Sequence, residues 1–235
     1  MTNRSWVEIP VQGGTMSAFL AGDGAPGLVM LQEIFGVNGA MQDKALRFAR
    51  LGFTVLVPDL FWRHEPRVAL GYTDEDRKRG FDLFSCFDFK AGVADIAAAA
   101  RWLEKEHPSV GVLGFCLGGK LAVAASATYP FKAVASLYGV KLEADKPRLR
   151  AIDVPLQVHV GDKDAHIPLQ AIEEIKEALK DRPNAAVFVY AGAGHGFFNA
   201  ARTEVYAPQV AALAEERIAR MFNQSLEGGR RKAAA

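Results

Sequence analysis

Short apolar runs of strand length alternate along this chain with longer stretches in which apolar residues recur at helical spacing. The runs that predict strands are 5–9, 15–21, 28–31, 53–57, 110–115, 133–138, 156–160 and 186–190. Helices are predicted over 39–50, 88–106, 118–128, 168–180 and 205–222. The first two strands are separated by Gly13 and Gly14 and are predicted to form a hairpin. Because strands that alternate with helices build parallel sheets, we predict an α/β fold with a mainly parallel central sheet and helices on both faces.

Two polar segments interrupt this alternation. Residues 59–80 carry charges, prolines and aromatic side chains, and we interpret them as an excursion over the surface, in which the acidic residues at 74–76 favour a helix start. A second polar stretch follows strand 133–138. No repeat or low-complexity linker divides the sequence, so residues 1–235 are predicted to form a single domain, with a frayed tail over about 226–235.

Composition and charge exclude several classes of function. Half of the 235 residues are hydrophobic and the net charge is +1, so no basic surface argues for binding to nucleic acid or to an anionic membrane. No run of about 20 apolar residues suits a membrane span, and the N-terminus lacks the apolar segment of a signal peptide. With two cysteines and no Cys/His spacing typical of zinc, we expect a reduced, cytoplasmic protein without metal or other cofactor. The oligomeric state is left open, and a monomer is compatible with the sequence.

A candidate nucleophile lies between strand 110–115 and the helix after it. The segment Gly114-Phe115-Cys116-Leu117-Gly118-Gly119 is typical of a strand–turn–helix elbow, in which glycines permit a crowded backbone and the central side chain is lifted above the sheet. Serine is the usual central residue, and this chain has Cys116. The alternative interpretation is a buried, unreactive thiol ahead of a helix, since free cysteine is commonly buried.

Two other loops supply partners for such a nucleophile. Strand 156–160 is followed by Asp162 and Asp164, and strand 186–190 is followed by His195 between two glycines. The order nucleophile, acid, histidine is that of α/β-hydrolases, in which the three loops converge. His195 would take the thiol proton and later activate water, while an acid orients its ring. Both aspartates are candidates, and we prefer Asp164, because Asp162 is placed to cap the turn.

An oxyanion formed at the nucleophile needs two backbone donors. The N–H of Leu117 is the first, and the N–H of Ile34, in the loop after strand 28–31, is the predicted second. Glu33 precedes Ile34, and a carboxylate at the end of a buried strand needs a partner. It either forms an ion pair with an arginine or touches the thiol or His195, where its charge would hold the thiol neutral until substrate arrives.

These motifs resemble the dienelactone hydrolases, or carboxymethylenebutenolidases, a family of α/β-hydrolases with a cysteine nucleophile. The matching stretches are Gln32–Asn38, Val57–Leu60, Phe87-Asp88 with Ala91–Val93, Gly114–Gly119, Gly161 with Asp164, and Gly194–Phe197. The resemblance therefore covers nearly the whole chain. It implies the α/β-hydrolase fold, a catalytic triad of Cys116, His195 and Asp164, and a role for Glu33 as the carboxylate near the thiol.

The resemblance also implies substrate-binding residues. Family members that open dienelactone hold the substrate carboxylate with arginines, one of which falls at Arg77. Four residues after the catalytic histidine, where another is expected, this chain has Asn199, and Arg202 is the candidate replacement. Aromatic residues of the family's site match Phe81 and Phe84, with Phe81 where tyrosine is often found. Taken alone, Arg77 also suits a solvated helix face, and the phenylalanines also suit core packing.

The predicted function is hydrolysis of a small ester or lactone, including carboxylate-bearing substrates of the dienelactone type. Cys116 would attack the carbonyl and form a thioester acyl-enzyme, which water then cleaves. Two alternatives stay open. One is a relative of the hydrolases that binds a small ligand without catalysis, and the other is a thioesterase or general carboxylesterase.

Overall fold

The computed structural model describes residues 2–233, with side-chain environments as far as Leu226. The strands are β1 (Arg4–Val11), β2 (Gly14–Ala21), β3 (Gly27–Leu31), β4 (Thr54–Pro58), β5 (Val110–Phe115), β6 (Val134–Leu137), β7 (Leu156–Gly161) and β8 (Ala185–Tyr190). The helices are α1 (Gly39–Arg50), α2 (Asp74–Ser85), α3 (Phe89–Glu104), α4 (Leu117–Ala125), α5 (Lys146–Ala151), α6 (Leu169–Leu179) and α7 (Pro208–Ala233), and a short 3-10 helix covers Glu143–Asp145.

The eight strands form one sheet in the order β1-β2-β4-β3-β5-β6-β7-β8. β1 and β2 pair antiparallel as the predicted hairpin, and β2 is antiparallel to β4. Every pair from β4 to β8 is parallel, so these strands end at one carboxyl edge. The strand order reverses between β3 and β5, and Leu31 at the end of β3 pairs with Gly114 near the end of β5. Such a reversal opens a crevice between the two following loops, which is where ligands bind in open α/β sheets.

Helices cover both faces of this sheet. A Cβ at Gly111 would lie 2.6 Å from the Phe222 ring of α7, and a Cβ at Gly27 would lie 3.0 Å from the Leu103 side chain of α3. Gly27 pairs with Val110, the neighbour of Gly111, and successive residues of a strand point to opposite faces. Therefore α7 and α3 lie on opposite faces, and strands β3 to β6 are buried along their whole length.

The region between β4 and α2 differs from the prediction of a purely surface excursion. Leu60, Phe61 and Val68 are buried in the core. The Val37 N–H donates to the Val68 carbonyl over 2.9 Å, so this stretch pairs with the loop that follows β3. Its apolar residues form two runs of three, 60–62 and 68–70, with charged residues between them, and runs this short carry no period that predicts burial. The predicted helix start at 74–76 is confirmed by α2.

Two further differences concern helices. The polar stretch after β6 contains α5, which is only six residues long and too short for helical periodicity to be recognised. The last helix continues to Ala233 instead of ending at 222, and so includes most of the segment predicted as a tail. Residues 234 and 235 of that segment lie outside the described part of the chain. No helix among the described residues is long and apolar enough to cross a membrane.

Candidate active site

Cys116 lies at the turn between β5 and α4 in a backbone conformation that few side chains adopt, with φ +54° and ψ −113°. The neighbouring glycines are required by close backbone contacts. A Cβ at Gly114 would lie 1.9 Å from the Gly118 carbonyl oxygen, and a Cβ at Gly118 would lie 2.4 Å from the Leu31 carbonyl oxygen. The Cys116 N–H donates to the Leu137 carbonyl over 3.0 Å. The turn therefore holds the thiol rigidly at the carboxyl edge of the sheet, and its side chain is partly open to solvent.

His195 and Asp164 come together beside this turn from the loops after β8 and β7. His195 Nδ1 is 2.8 Å from Asp164 Oδ2, and the Asp164 side chain has no exposed surface. The other Asp164 oxygen accepts the backbone N–H of His166 over 2.8 Å, which fixes the carboxylate. Asp162 instead accepts the Gly192 N–H over 2.7 Å and so ties the two loops together, a structural role like that predicted for it.

The protonation of His195 is set by opposing effects. Burial disfavours the charged imidazole, but Asp164 and the sulfur of Cys116 outweigh burial and raise the pKa of His195 to about 10. The hydrogen bond with Asp164 is the largest of the effects that raise the pKa of His195. The arrangement favours an imidazolium next to the sulfur.

A cavity of about 130 Å³ opens above Cys116 and contains most of the predicted site residues. Those that line it are Glu33, Ile34, Arg77, Phe81, Phe84, Cys116, Leu117, His195 and Arg202. Asp164 is behind His195, as expected for a residue that acts through the imidazole. Phe81 is 48% exposed, so it forms the mouth of the cavity and is not part of the core. The dimensions suit a small molecule.

The two predicted oxyanion donors belong to adjacent loops of the crevice. Leu117 is the first residue of α4, so its N–H has no acceptor within the helix. Ile34 is in the loop after β3, which the Gly118 N–H anchors by donating to the Gln32 carbonyl over 3.0 Å. Gly80 of α2 lies against this loop, since a Cβ there would be 2.9 Å from the Ile34 carbonyl oxygen. Both donors therefore sit on backbone that neighbouring elements hold in place.

Glu33 is 4% exposed and has three partners, none of which is the thiol or His195 among the described contacts. The Tyr138 hydroxyl donates to its Oε1 over 2.8 Å, and Asn199 Nδ2 donates to its Oε2 over 3.0 Å. Lys44 Nζ is 3.9 Å from Oε2. Glu33 is thus paired with a lysine, where sequence reasoning proposed an arginine.

The substrate-binding residues suggested by the family resemblance are only partly brought together. Arg77 and Arg202 line the cavity, and Arg202 is also 3.0 Å from Glu204. Asn199 does not line the cavity, which corrects its expected place. It is fully buried and donates from Nδ2 to Glu33 and, over 2.9 Å, to the Tyr72 hydroxyl. Its side chain is therefore a support for Glu33.

Sequence reasoning missed two residues next to the imidazole. Tyr138, after β6, is fully buried with φ +38°, and its ring centroid is 5.0 Å from that of His195. His166, after β7, has its ring centroid 4.7 Å from that of His195 and lines the cavity. Both residues follow parallel strands at the carboxyl edge of the sheet. That position in the sequence is the signal that could have identified them as site residues. No cluster of three or more metal-ligating side chains occurs in the part of the chain that the structure describes.

Comparisons with known proteins show which family this chain is similar to. The model of the dienelactone hydrolase family matches residues 16–226. A carboxymethylenebutenolidase of Pseudomonas putida is 36% identical over 82% of this chain and 83% of its own length. Another, from Rhodococcus opacus, is 31% identical over 86% of this chain and 82% of its own length. A crystal structure from Klebsiella pneumoniae, assigned provisionally as a dienelactone hydrolase, superimposes with a TM-score of 0.83 at 26% identity, covering 95% of this chain and 99% of that one.

Proposed function

Because this chain belongs to the dienelactone hydrolase family and is a hydrolase of ester or lactone bonds, we propose that Cys116, His195 and Asp164 carry out the reaction. The observation that supports this most directly is the 2.8 Å contact between His195 and the buried Asp164 beside a strained cysteine turn. A nucleophile, a base and a residue that orients the base are the parts that covalent acyl transfer requires.

In the first step the Cys116 sulfur attacks the substrate carbonyl carbon. A carbon–sulfur bond forms, and the carbonyl electron pair moves to oxygen. When this tetrahedral intermediate collapses, the carbon–oxygen bond of the ester or lactone breaks. The leaving alkoxide takes a proton from the imidazolium of His195 and departs as an alcohol, or stays attached as a hydroxyl if the substrate was a lactone.

In the second step water cleaves the thioester. His195 takes a proton from the water as it attacks the acyl carbon, and collapse of the second intermediate releases the acid and the Cys116 sulfur. Asp164 keeps the ring oriented with Nδ1 toward it in both steps, so that Nε2 is the nitrogen that exchanges protons. No redox step or external electron carrier enters this sequence.

The negative oxygen of both intermediates would be held by the N–H groups of Leu117 and Ile34. They line the same cavity as the sulfur and belong to the loops that follow β5 and β3. Loss of one such donor typically lowers the rate about 100- to 1000-fold. Backbone donors cost no reorganisation during the reaction, because their positions are fixed by the fold.

The substrate is proposed to be a small molecule that carries a carboxylate. Arg77 and Arg202 place two guanidinium groups around a cavity that Phe81 and Phe84 line with apolar surface. A carboxylate binds guanidinium through charge-assisted hydrogen bonds, and the aromatic side chains suit an unsaturated or planar body. A neutral ester would form no ion pair with either guanidinium group.

The test compares Cys116→Ala with Cys86→Ala on a panel of lactones and aryl esters. Cys86 is exposed and lies outside the cavity, so its variant should keep wild-type turnover. Cys116→Ala should lose turnover, and mass spectrometry of the wild type during turnover should find an acyl group on Cys116. Retained turnover in Cys116→Ala would overturn the covalent route.

The substrate proposal is tested with a lactone carboxylic acid and its methyl ester. Arg77→Gln and Arg202→Gln should each raise KM for the acid at least about 10-fold, because a hydrogen bond to a charged group is lost, and should leave KM for the methyl ester little changed. Equal effects on both compounds would favour a neutral ester as the natural substrate.

A further inference from the structure

A second depression, which we call the basic groove, lies apart from the candidate active site. It runs between α3 and α4, beside Val93 and Ala97 of α3 and Ala124 of α4, with Arg148 of α5 at its side. Its volume is about 670 Å³, which is within the range of small-molecule sites. Among the described residues, none that lines the groove also lines the cavity above Cys116. The proposed reaction therefore does not account for this groove.

The floor of the basic groove is apolar and elongated. Phe89, Val93 and Ala97 recur at intervals of four residues and so lie on one face of α3. Ala124 lines the groove from α4, which packs against α3. Arg101 lines it twelve residues beyond Phe89, so the groove extends about 18 Å along α3 at a rise of 1.5 Å per residue. This shape suits a straight apolar chain better than a compact ring.

Every titratable side chain that lines the basic groove in the described part of the chain is a cation. These are Lys90 and Arg101 of α3, Lys120 of α4 and Arg148 of α5. In residues 2–226, Arg148 is the only one of the four with an ion-pair partner, Asp145 at 3.1 Å. The chain as a whole has a net charge of only +1, so the cations around this groove are a local excess of positive charge. Such a surface attracts anions and repels cations.

Three of these cations gather at one end of the groove. The Lys120 ammonium is 4.7 Å from the centre of the Phe89 ring, and Lys90 follows Phe89 in the sequence. The charge of Arg148 acts on Lys120, so Arg148 lies near the same end. Arg101 lies about three helical turns further along α3. An elongated ligand with one anionic head group would therefore place that group at the Phe89 end and its chain toward Arg101.

Lys120 is half-buried in a mainly positive environment. Burial lowers the pKa of Lys120, and the charge of Lys141 lowers it further. Asp145 and Glu143 raise this pKa, but the net shift is downward, and Asp145 is already paired with Arg148. A bound anion next to Lys120 would stabilise the charge of its ammonium.

We propose that the basic groove binds a straight-chain carboxylate, a molecule of the fatty-acid class. Its carboxylate would accept charge-assisted hydrogen bonds from Lys120 and Arg148. Its chain would lie over Val93, Ala97 and Ala124, where binding removes apolar surface from water. This binding site is separate from the catalytic cavity and does not depend on the function proposed above.

The experiment titrates decanoate into the full chain by isothermal titration calorimetry, at low ionic strength because salt screens the attraction. Decanoate should bind. Butanoate keeps the head group but has a short chain, and it should bind at least about 10-fold more weakly, because each buried methylene contributes about 4-fold to affinity. Decyltrimethylammonium has the same chain and the opposite charge, and it should also bind at least about 10-fold more weakly. Absence of decanoate binding, or equal affinity for decyltrimethylammonium, would overturn the proposal.

Variants of the groove locate the bound decanoate. Ala124→Trp fills the groove and should abolish binding, and unchanged affinity in this variant would overturn the proposal. Lys120→Gln should weaken binding about 3- to 10-fold, because a partly exposed ion pair is lost. Lys132 is an exposed lysine outside the groove, so Lys132→Gln is the matched control and should bind like the parent. Ala94→Trp fills the groove from α3 and replaces Ala124→Trp if that variant does not fold, as judged by thermal unfolding.

Two other occupancies are distinguished by the same measurements. The double variant Arg77→Gln with Arg202→Gln alters only the catalytic cavity and should keep the affinity for decanoate. Loss of binding in that variant, with binding retained in Ala124→Trp, would place decanoate in the catalytic cavity instead. If light scattering shows a dimer that becomes a monomer in Ala124→Trp, a second copy of the chain covers the groove and the proposal is wrong. None of these titrations requires turnover, so the outcome is independent of whether an ester or lactone is hydrolysed.

Discussion

Two histidines in neighbouring parts of the sheet show how the same buried ring is given opposite properties. His195 follows β8 at the carboxyl edge, and its pKa is raised to about 10. His159 lies within β7 with no exposed surface, and burial, with the nearby Arg217, lowers its pKa to about 3. Burial opposes the charged form in both places. The groups next to each ring therefore decide whether its pKa is raised or lowered.

The neighbours differ in charge more than in distance. Asp164 is 2.8 Å from His195, and the Tyr190 hydroxyl is 2.9 Å from His159 Nδ1. The first partner is a carboxylate and the second is a neutral phenol, while the other ring nitrogen of His159 is 3.1 Å from the Gln157 oxygen. A carboxylate next to His195 therefore favours the cation of that ring, whereas the neutral partners of His159 leave its ring uncharged.

The largest expected effect comes from making the environment of His195 more like that of His159. Asp164→Asn replaces the carboxylate with a neutral amide of the same shape. We expect kcat/KM to fall about 10⁴-fold, because the amide favours the wrong ring tautomer and no longer stabilises the imidazolium. Steady-state kinetics on an activated aryl ester would measure this.

The matched control is Asp162→Asn, two residues away. Its Oδ1 accepts a backbone N–H that an asparagine oxygen can accept equally well, so activity should stay within a few-fold of the wild type. A large loss in Asp162→Asn with little loss in Asp164→Asn would reverse the assignment of the two acids.

An intermediate effect is expected from His159 on stability at acid pH. Its pKa is about 3 in the folded protein and 6.5 in the reference state, so below pH 6.5 the unfolded chain binds a proton that the folded protein does not. Stability is therefore lost as pH falls, by about 2 kcal/mol between pH 6.5 and 5. His159→Gln should remove this component, and urea unfolding at several pH values would measure the difference in slope. Parallel curves for both proteins would contradict the prediction.

The smallest effect is expected from Arg217→Met. The Arg217 guanidinium lies 4.3 Å from the centre of the Phe188 ring and 5.5 Å from that of Tyr190, and its charge is the second cause of the low pKa of His159. Its removal should weaken the acid sensitivity by less than about 1 kcal/mol, since burial remains. The same unfolding series, with ester hydrolysis as a control for the intact site, checks this. A change as large as that of His159→Gln would show that charge outweighs burial at this site.

Much of the site's placement follows from the order of strands and helices. Once β5, β7 and β8 are recognised as parallel strands, their following residues must lie at one edge, and Cys116, Asp164 and His195 are the chemically competent residues there. The direct contact of His195 and Asp164 in the structure agrees with that expectation. Local patterns also sufficed for α1, which was predicted over 39–50 and in the structure is capped by Asn38, whose Oδ1 accepts the Met41 N–H over 3.1 Å.

The support behind the site was not accessible from the sequence in the same way. Lys44 stands in the apolar stripe of α1, three residues after Met41 and four before Phe48, but a lysine within such a stripe usually reaches the surface with its long side chain. Its ammonium is 3.9 Å from Glu33, which lies in the loop before α1 and outside the helical pattern. Asn199 likewise acquires its role from contacts with Glu33 and Tyr72 that no local pattern encodes. Contacts with residues elsewhere in the fold, and not helix or strand propensity, decide where the side chains of Lys44 and Asn199 lie.

In the turn around Cys116 the main chain is crowded, but the central side chain is not part of that crowding. Gly114 and Gly118 are required because main-chain atoms lie less than 2.5 Å from where a Cβ would stand, whereas Cys116 lines the cavity. Replacing sulfur by oxygen, as in Cys116→Ser, would therefore alter the hardness and leaving ability of the attacking atom without disturbing the scaffold. The protein offers a setting in which thiol and alcohol chemistry can be compared on one unchanged backbone.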